Sequence, residues 1–168
     1  MALSEADRNN IVRAHEALHQ ISSTGLYGYG LSSGVGSLAH RLIPLTQSKD
    51  QQFNLLRSHA AGVGPSLPRR TVALMLLIRL RTISTGHSGT SLDVVERILV
   101  LLNLGVLPVV PSRGSVGASG DLAPLAHAML PLIGEGECSI RRDGQDYVVG
   151  GAEALALAGL KPVTFGPK

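Results

Sequence analysis

In the stretch Arg113 to Leu130, RGSVGASGDLAPLAHAML, Gly114, Gly117 and Gly120 recur every third residue, immediately before an apolar helical pattern. Glycine lets the backbone take crowded or positive-φ geometries that residues with a Cβ resist. Between the last two glycines lies Ala118-Ser119. If the loop is pinched, the amide nitrogen of Gly120 can attack the carbonyl carbon of Ala118 and close a five-membered ring. The residue types suit that step: glycine is an unhindered nucleophile, alanine crowds nothing, and the Ser119 hydroxyl can leave as water. Two waters are lost in all, and the product is a methylidene-imidazolone, an electrophile that no ordinary side chain supplies. From spacing alone the same residues also fit a plain loop or an anion-binding helix start.

Three other patterns suggest rival chemistry. His15-Glu16-Ala17-Leu18-His19 is a literal H-E-x-x-H, and two histidines at i and i+4 share a helix face, could hold zinc together and would leave Glu16 as the general base of a metallopeptidase. They lie at the edge of the apolar stripe, however, and no downstream histidine or glutamate is placed as a third ligand, so a helix-surface pair is the plainer expectation. Gly28-Tyr29-Gly30 begins like a dinucleotide fingerprint, but the third glycine falls at Gly34 and no strand precedes it. Gly86-His87-Ser88-Gly89-Thr90 misses the serine-hydrolase elbow because Thr90 stands in the final glycine position.

The segment GSVGASGDLAPLAH resembles the prosthetic-group segment of the aromatic amino acid ammonia-lyases, the family of histidine, phenylalanine and tyrosine ammonia-lyases. Two further segments resemble that family in its order, Tyr29-Gly30-Leu31-Ser32-Ser33-Gly34-Val35-Gly36 and Ser58-His59-Ala60-Ala61-Gly62-Val63-Gly64. The resemblance runs from about Leu26 onward. It implies that Ala118-Ser119-Gly120 forms the electrophile and that Tyr29, as phenolate, removes a β-proton. It also implies that Asp121 supports the prosthetic loop and that the Ser58-His59 pair reads the substrate's ring. The serine-histidine pair is typical of the histidine-specific members, which points to L-histidine giving urocanate and ammonia, without a metal. A polar ring requires a buried hydrogen-bond partner, which is why a histidine suits that place.

The resemblance carries further expectations. Family members are several-fold longer, with a large helical bundle beyond the point matching Lys168, so the chain is expected to be the prosthetic-group part of a truncated aspartase/fumarase-like fold. The groups that bind amine and carboxylate belong to that later sequence. Family active sites are shared between subunits of a tetramer, so Tyr29 and the prosthetic loop need not serve one site. A homo-oligomer or a complementing polypeptide is the expected partner, the isolated chain is expected to be poorly active, and a non-catalytic fragment or interaction module is the alternative.

The elements that must position these residues follow from periodicity and caps. With 168 residues, 44% hydrophobic and 16% charged, the chain can bury a real core. A net charge of +3 comes without a basic run and with only three tyrosines, two phenylalanines and no tryptophan, which argues against nucleic acid. The apolar runs at 72–78 and 98–102 are too short for a membrane span and are expected to be buried helix. A lone Cys138 and no leader-like start suggest a reducing, cytoplasmic setting. Helices are expected over about 5–22, from a Ser48 capping box to Gly62, over 67–82, from caps at Thr90–Asp93 to 104, over 122–133 with Asp121 as N-cap and Pro131 as a distortion, and over 151–158. His127 is expected to be packed. A hairpin turning at Asp143-Gly144 spans 137–149. The sum is one α+β domain over 1–168, predominantly α-helical, with no internal linker. Intact-mass spectrometry tests the central expectation: a matured chain is lighter than its sequence by two waters, and Ser119→Ala restores the full mass.

Overall fold

The computed structural model describes residues 1–24, 28–44, 47–115 and 120–164. Ala118 and Ser119 lie outside the described residues. Six α-helices and five short strands stand among those described.

Helix α1, Glu5–Ser23, opens where Ser4 accepts the amide of Asp7 through its hydroxyl at 3.1 Å, and buries Ile11 completely. Helix α3, Arg69–Ser84, starts after Pro68, whose fixed φ suits a helix entrance. Its Val72, Leu76, Leu80 and Ile83 form one buried stripe at helical spacing. Helix α4, Leu92–Asn103, places Val95, Ile98 and Leu101 against that stripe. The cap of α4 is Ser91, accepting from the Val94 amide, one residue later than the run beginning at Thr90 suggests. These three helices form one side of the core.

The other side is a three-stranded antiparallel sheet in the order β2–β4–β5, where β2 is Leu107–Pro108, β4 Glu137–Arg142 and β5 Gln145–Gly150. The hairpin turns where sequence places it, with Asp143 at φ 50° and Gly144 at φ 79°. Two consecutive positive-φ residues match the twist of the flanking strands. Helix α6, Gly151–Leu157, closes the sheet with Ala154 and Leu155, and Val110 and Cys138 complete the shared core. Burial pushes the Cys138 thiol up to about 12, so it stays a neutral packing group.

Two features depart from expectation. A second sheet pairs β1, Val63–Ser66, with β3, Pro111–Arg113, a pairing absent from the sequence reading. Helix α5, Leu122–Met129, passes into a 3-10 turn at Leu130–Ile133, the distortion expected at Pro131, which cannot continue the α-helical hydrogen-bond ladder. The apolar run in α3 is also not buried throughout. Leu76 is 2% exposed whereas Ile78 is 59% exposed, and Leu74 and Leu77 lie open beside it. No helix among the described residues is long and apolar enough to cross a membrane.

The contrast within α3 gives a stability prediction. Leu76→Ala should cost about 2–5 kcal/mol of unfolding free energy in urea denaturation, and Ile78→Ala well under about 1 kcal/mol.

Candidate active site

The residues singled out in the sequence sit on three segments that meet around α2, Ser48–His59. The first is the tyrosine loop at 28–44. It has a 3-10 turn at Gly36–Leu38 and a single bridge between Ser33 and Leu42, so it is neither long helix nor strand. Tyr29 is 65% exposed, and its phenolic oxygen accepts the Gly36 N–H at 2.9 Å. Gly36 donates from a left-handed conformation, φ 58°. The loop is tied to α2 through Gln51, whose side-chain amide donates to the Ser33 carbonyl oxygen at 3.4 Å.

The second segment is the end of α2 and the strand after it. The helix opens at Ser48 with Gln47 as a cap residue lacking a side-chain bond, so the start lies one residue earlier than the expected Ser48 capping box. His59 is its last residue. The His59 Nδ1 lies 2.8 Å from the Leu55 carbonyl oxygen and 3.2 Å from Ser58 Oγ, which itself donates to the same carbonyl at 3.1 Å. A carbonyl only accepts, so the proton is on Nδ1, and in the neutral ring the lone pair is on Nε2. The Ser58 hydroxyl therefore orients the ring and leaves one nitrogen free to accept.

The third segment is β3 and α5 with the prosthetic stretch between them. Of the Ala118-Ser119-Gly120 tripeptide only Gly120 lies within the described residues. It stands outside helix and strand, exposed, at φ 75°, and a Cβ there would meet no atom of the described residues within 4 Å. A left-handed, uncrowded glycine immediately before a helix suits a tripeptide that must bend. Asp121 occupies the N-cap position of α5, but its side chain makes no capping bond. Its carbonyl oxygen instead accepts the Leu125 amide at 3.2 Å, which corrects the expectation of a carboxylate cap.

The second and third segments are joined tightly. Gly62 N–H donates to His127 Nε2 at 3.0 Å, and Val63 pairs with Arg113 across β1 and β3. A Cβ on Gly114 would come within 2.9 Å of the Ala123 Cβ and 3.2 Å of the Gly62 Cα, so the chains cross where only glycine fits. Arg57 of α2 adds an exposed ion pair to Glu135, and the guanidinium holds that carboxyl below its ordinary range. None of the described hydrogen bonds joins Tyr29 to Ser58, His59 or Gly120. Sequence reasoning missed the Gly62–His127 bond. The signal was faint: His127 lies two helical turns beyond Gly120 and is the one titratable side chain on α5.

His15 and His19 stand elsewhere, on α1. Their Nε2 atoms are 3.1 Å apart, and His15 Nδ1 bonds the Gly89 carbonyl oxygen at 2.8 Å. Among the described residues no group of three or more histidine, cysteine, aspartate or glutamate side chains is placed to hold a metal, so the metallopeptidase reading finds no support.

Comparison with known proteins decides the family. The family model described as aromatic amino acid lyase matches residues 1–168, including α1, which the sequence resemblance had left out. The chain belongs to the aromatic amino acid lyase family. It is 44% identical over 166 residues to the histidine ammonia-lyase of Desulfotalea psychrophila, covering 99% of this chain and 32% of that protein. Its fold matches the ergothioneine-degrading ergothionase of Treponema denticola at TM-score 0.91 and 33% identity, covering 99% of this chain and 32% of that one. It matches the histidine ammonia-lyase of Trypanosoma cruzi at TM-score 0.83 and 30% identity, covering 98% of this chain and 30% of that one. The chain thus spans about a third of the length of the relatives it matches. That third is common to enzymes acting on different substrates, so its fold does not select the substrate.

The crossing at Gly114 is testable. Gly114→Ala should lower stability by about 1–3 kcal/mol in thermal or urea unfolding, because the added methyl meets a Cβ and a backbone Cα, neither of which can rotate away.

Proposed function

We propose that this chain supplies the electrophile-bearing and ring-reading region of an ammonia-lyase that converts L-histidine to urocanate and ammonia. The observation that carries the substrate assignment is the His59 ring. With Nδ1–H committed to the Leu55 carbonyl oxygen, Nε2 is left to accept an N–H from an imidazole substrate. A phenyl ring offers no such donor and would leave that nitrogen unpaired. The 44% identity to a histidine ammonia-lyase supports the same choice.

The chemistry follows from the parts. A methylidene-imidazolone made from Ala118-Ser119-Gly120 would supply the electrophilic chemistry that makes the substrate's amine a good leaving group. The left-handed backbone of Gly120, the described member of that tripeptide, supports this reading. Tyr29, with Gly36 N–H on its oxygen, removes the β-proton as the carbon–nitrogen bond breaks. His59 orients the ring so that this proton faces its base, and orientation of that kind contributes several powers of ten in rate. Asp121 stays near the electrophile as a supporting carboxylate.

The groups that bind the amine and carboxylate come, in this proposal, from sequence outside these 168 residues and from further copies in an oligomer. The open stripe of Leu74, Leu77 and Ile78 on α3 is consistent with such assembly. A non-catalytic fragment would keep the fold and lack the mass loss of two waters.

His59 is the residue to change. In the assembly that turns over L-histidine, followed by urocanate absorbance, His59→Leu should lower kcat/KM for L-histidine roughly ten- to a hundredfold and raise relative activity on L-phenylalanine. Unchanged preference would remove the ring-reading role. Vigorous urocanate formation by the purified 168-residue chain alone would contradict the need for complementing sequence.

A further inference from the structure

The contact between the ring-reading segment and α5 does more than fill space. Gly62 lies three residues beyond His59, and its N–H donates to His127 Nε2 at 3.0 Å. His127 lies seven residues, two helical turns, beyond Gly120. One hydrogen bond therefore spans the distance between the residues assigned to the substrate's ring and the helix that leaves the electrophile. Its surroundings fix the geometry: a Cβ on Gly62 would come within 3.1 Å of His127 Nε2, 3.2 Å of its Cδ2 and 3.3 Å of Pro111 Cβ.

We propose that His127 is a positioning residue for the lyase reaction, an uncharged acceptor that holds segment 58–64 in register with the start of α5. The proposal rests on the lyase reading above only for its consequence in turnover; the contact itself does not depend on it. Nε2 can accept the Gly62 N–H only while it carries a lone pair. Protonation sets an N–H against an N–H and breaks the bond. The device therefore works on the neutral side of the imidazole's titration and lets go in acid.

The charges around it do not oppose this. The elements packed on α5 carry Lys49, Asp50, Arg57 and His59 on α2 and Arg113 on β3, while β2 and the 3-10 turn at Leu130–Ile133 carry none. Asp121 stands at the N-cap of α5 itself. Burial is the one cause of the lowered His127 pKa, with no contribution from these groups. Because the folded value lies below the ordinary imidazole value of 6.5, the unfolded chain takes the proton first. The contribution of the bond is whole above about 6.5 and is lost as pH falls from there through the folded value.

Nuclear magnetic resonance on the nitrogen-labelled 168-residue chain tests the contact. The His127 ring should titrate below free imidazole with its lone pair on Nε2, and the Gly62 amide resonance should move with the same midpoint. In His127→Phe the Gly62, Ser58 and His59 amide resonances should all shift at neutral pH. In His127→Gln, whose carbonyl oxygen still accepts, they should stay near their original positions and cease to titrate with that midpoint. In the assembly that turns over L-histidine, His127→Phe should raise KM for L-histidine about tenfold with little change in kcat. His127→Gln should restore KM and flatten its rise in acid. A Gly62 resonance indifferent to His127, or Phe and Gln variants that behave alike, would overturn the proposal. Absence of turnover in the unaltered assembly, with Gly62 still tracking His127, would count against the lyase reading and support the contact.

Discussion

Backbone approach at the Gly62–Gly114 crossing is the constraint on which the site depends. Two loops and a helix come together there at close range: a Cβ on Gly114 would come within 2.9 Å of the Ala123 Cβ, and one on Gly62 would sit tightly against His127 and Pro111, at 3.1 and 3.3 Å. Close approach lets β1 pair with β3 and brings the Gly62 amide within reach of the imidazole on α5. Each contact alone is worth little, since a single hydrogen bond nets only about 1 kcal/mol. Together they leave the segment after His59 with one position relative to the helix after Gly120. A side chain at Gly114 would force the two chains apart and take that relation with them, and one at Gly62 would crowd the imidazole.

The rest of the molecule is scaffold for that crossing. The α1, α3 and α4 layer and the β2–β4–β5 sheet share a core of Ile11, Leu76, Val95, Val110, Cys138 and Leu155, all essentially removed from solvent. Arg69 stitches the layers from the side, donating to the carbonyl oxygens of Gly105 and Ser139 at 2.6 Å each. The core stops at one face of α3, where Leu74, Leu77 and Ile78 remain open. Burial of an apolar stripe needs a facing surface, and the described residues offer α3 one on a single side.

Polar groups near the candidate site are arranged to fix proton positions more than to carry charge. His59 donates its Nδ1–H to a helix carbonyl, His127 Nε2 accepts an amide N–H, and the Tyr29 oxygen accepts an N–H from a left-handed glycine. In each case a backbone group decides which atom of the side chain is a donor and which an acceptor. Ion pairs such as Arg57–Glu135 lie on the outside, where solvent screens them, and serve to anchor α2.

The amino-acid sequence determined by itself whatever depends on neighbours in the chain. Ser4 as a cap, the turn at Asp143-Gly144, the distortion at Pro131 and the left-handed bend at Gly120 are local consequences of side-chain shape and allowed φ. The family was legible too, because motifs such as GSVGASGDLAPLAH are contiguous. Tertiary structure decided what depends on residues far apart: the β1–β3 pairing, the exposure of half the apolar run in α3, the missing carboxylate cap at Asp121 and the bond from Gly62 to His127. Local propensity cannot specify a contact across 65 residues. Such a contact forms only when the whole core has placed two backbones near enough for an amide to find its acceptor.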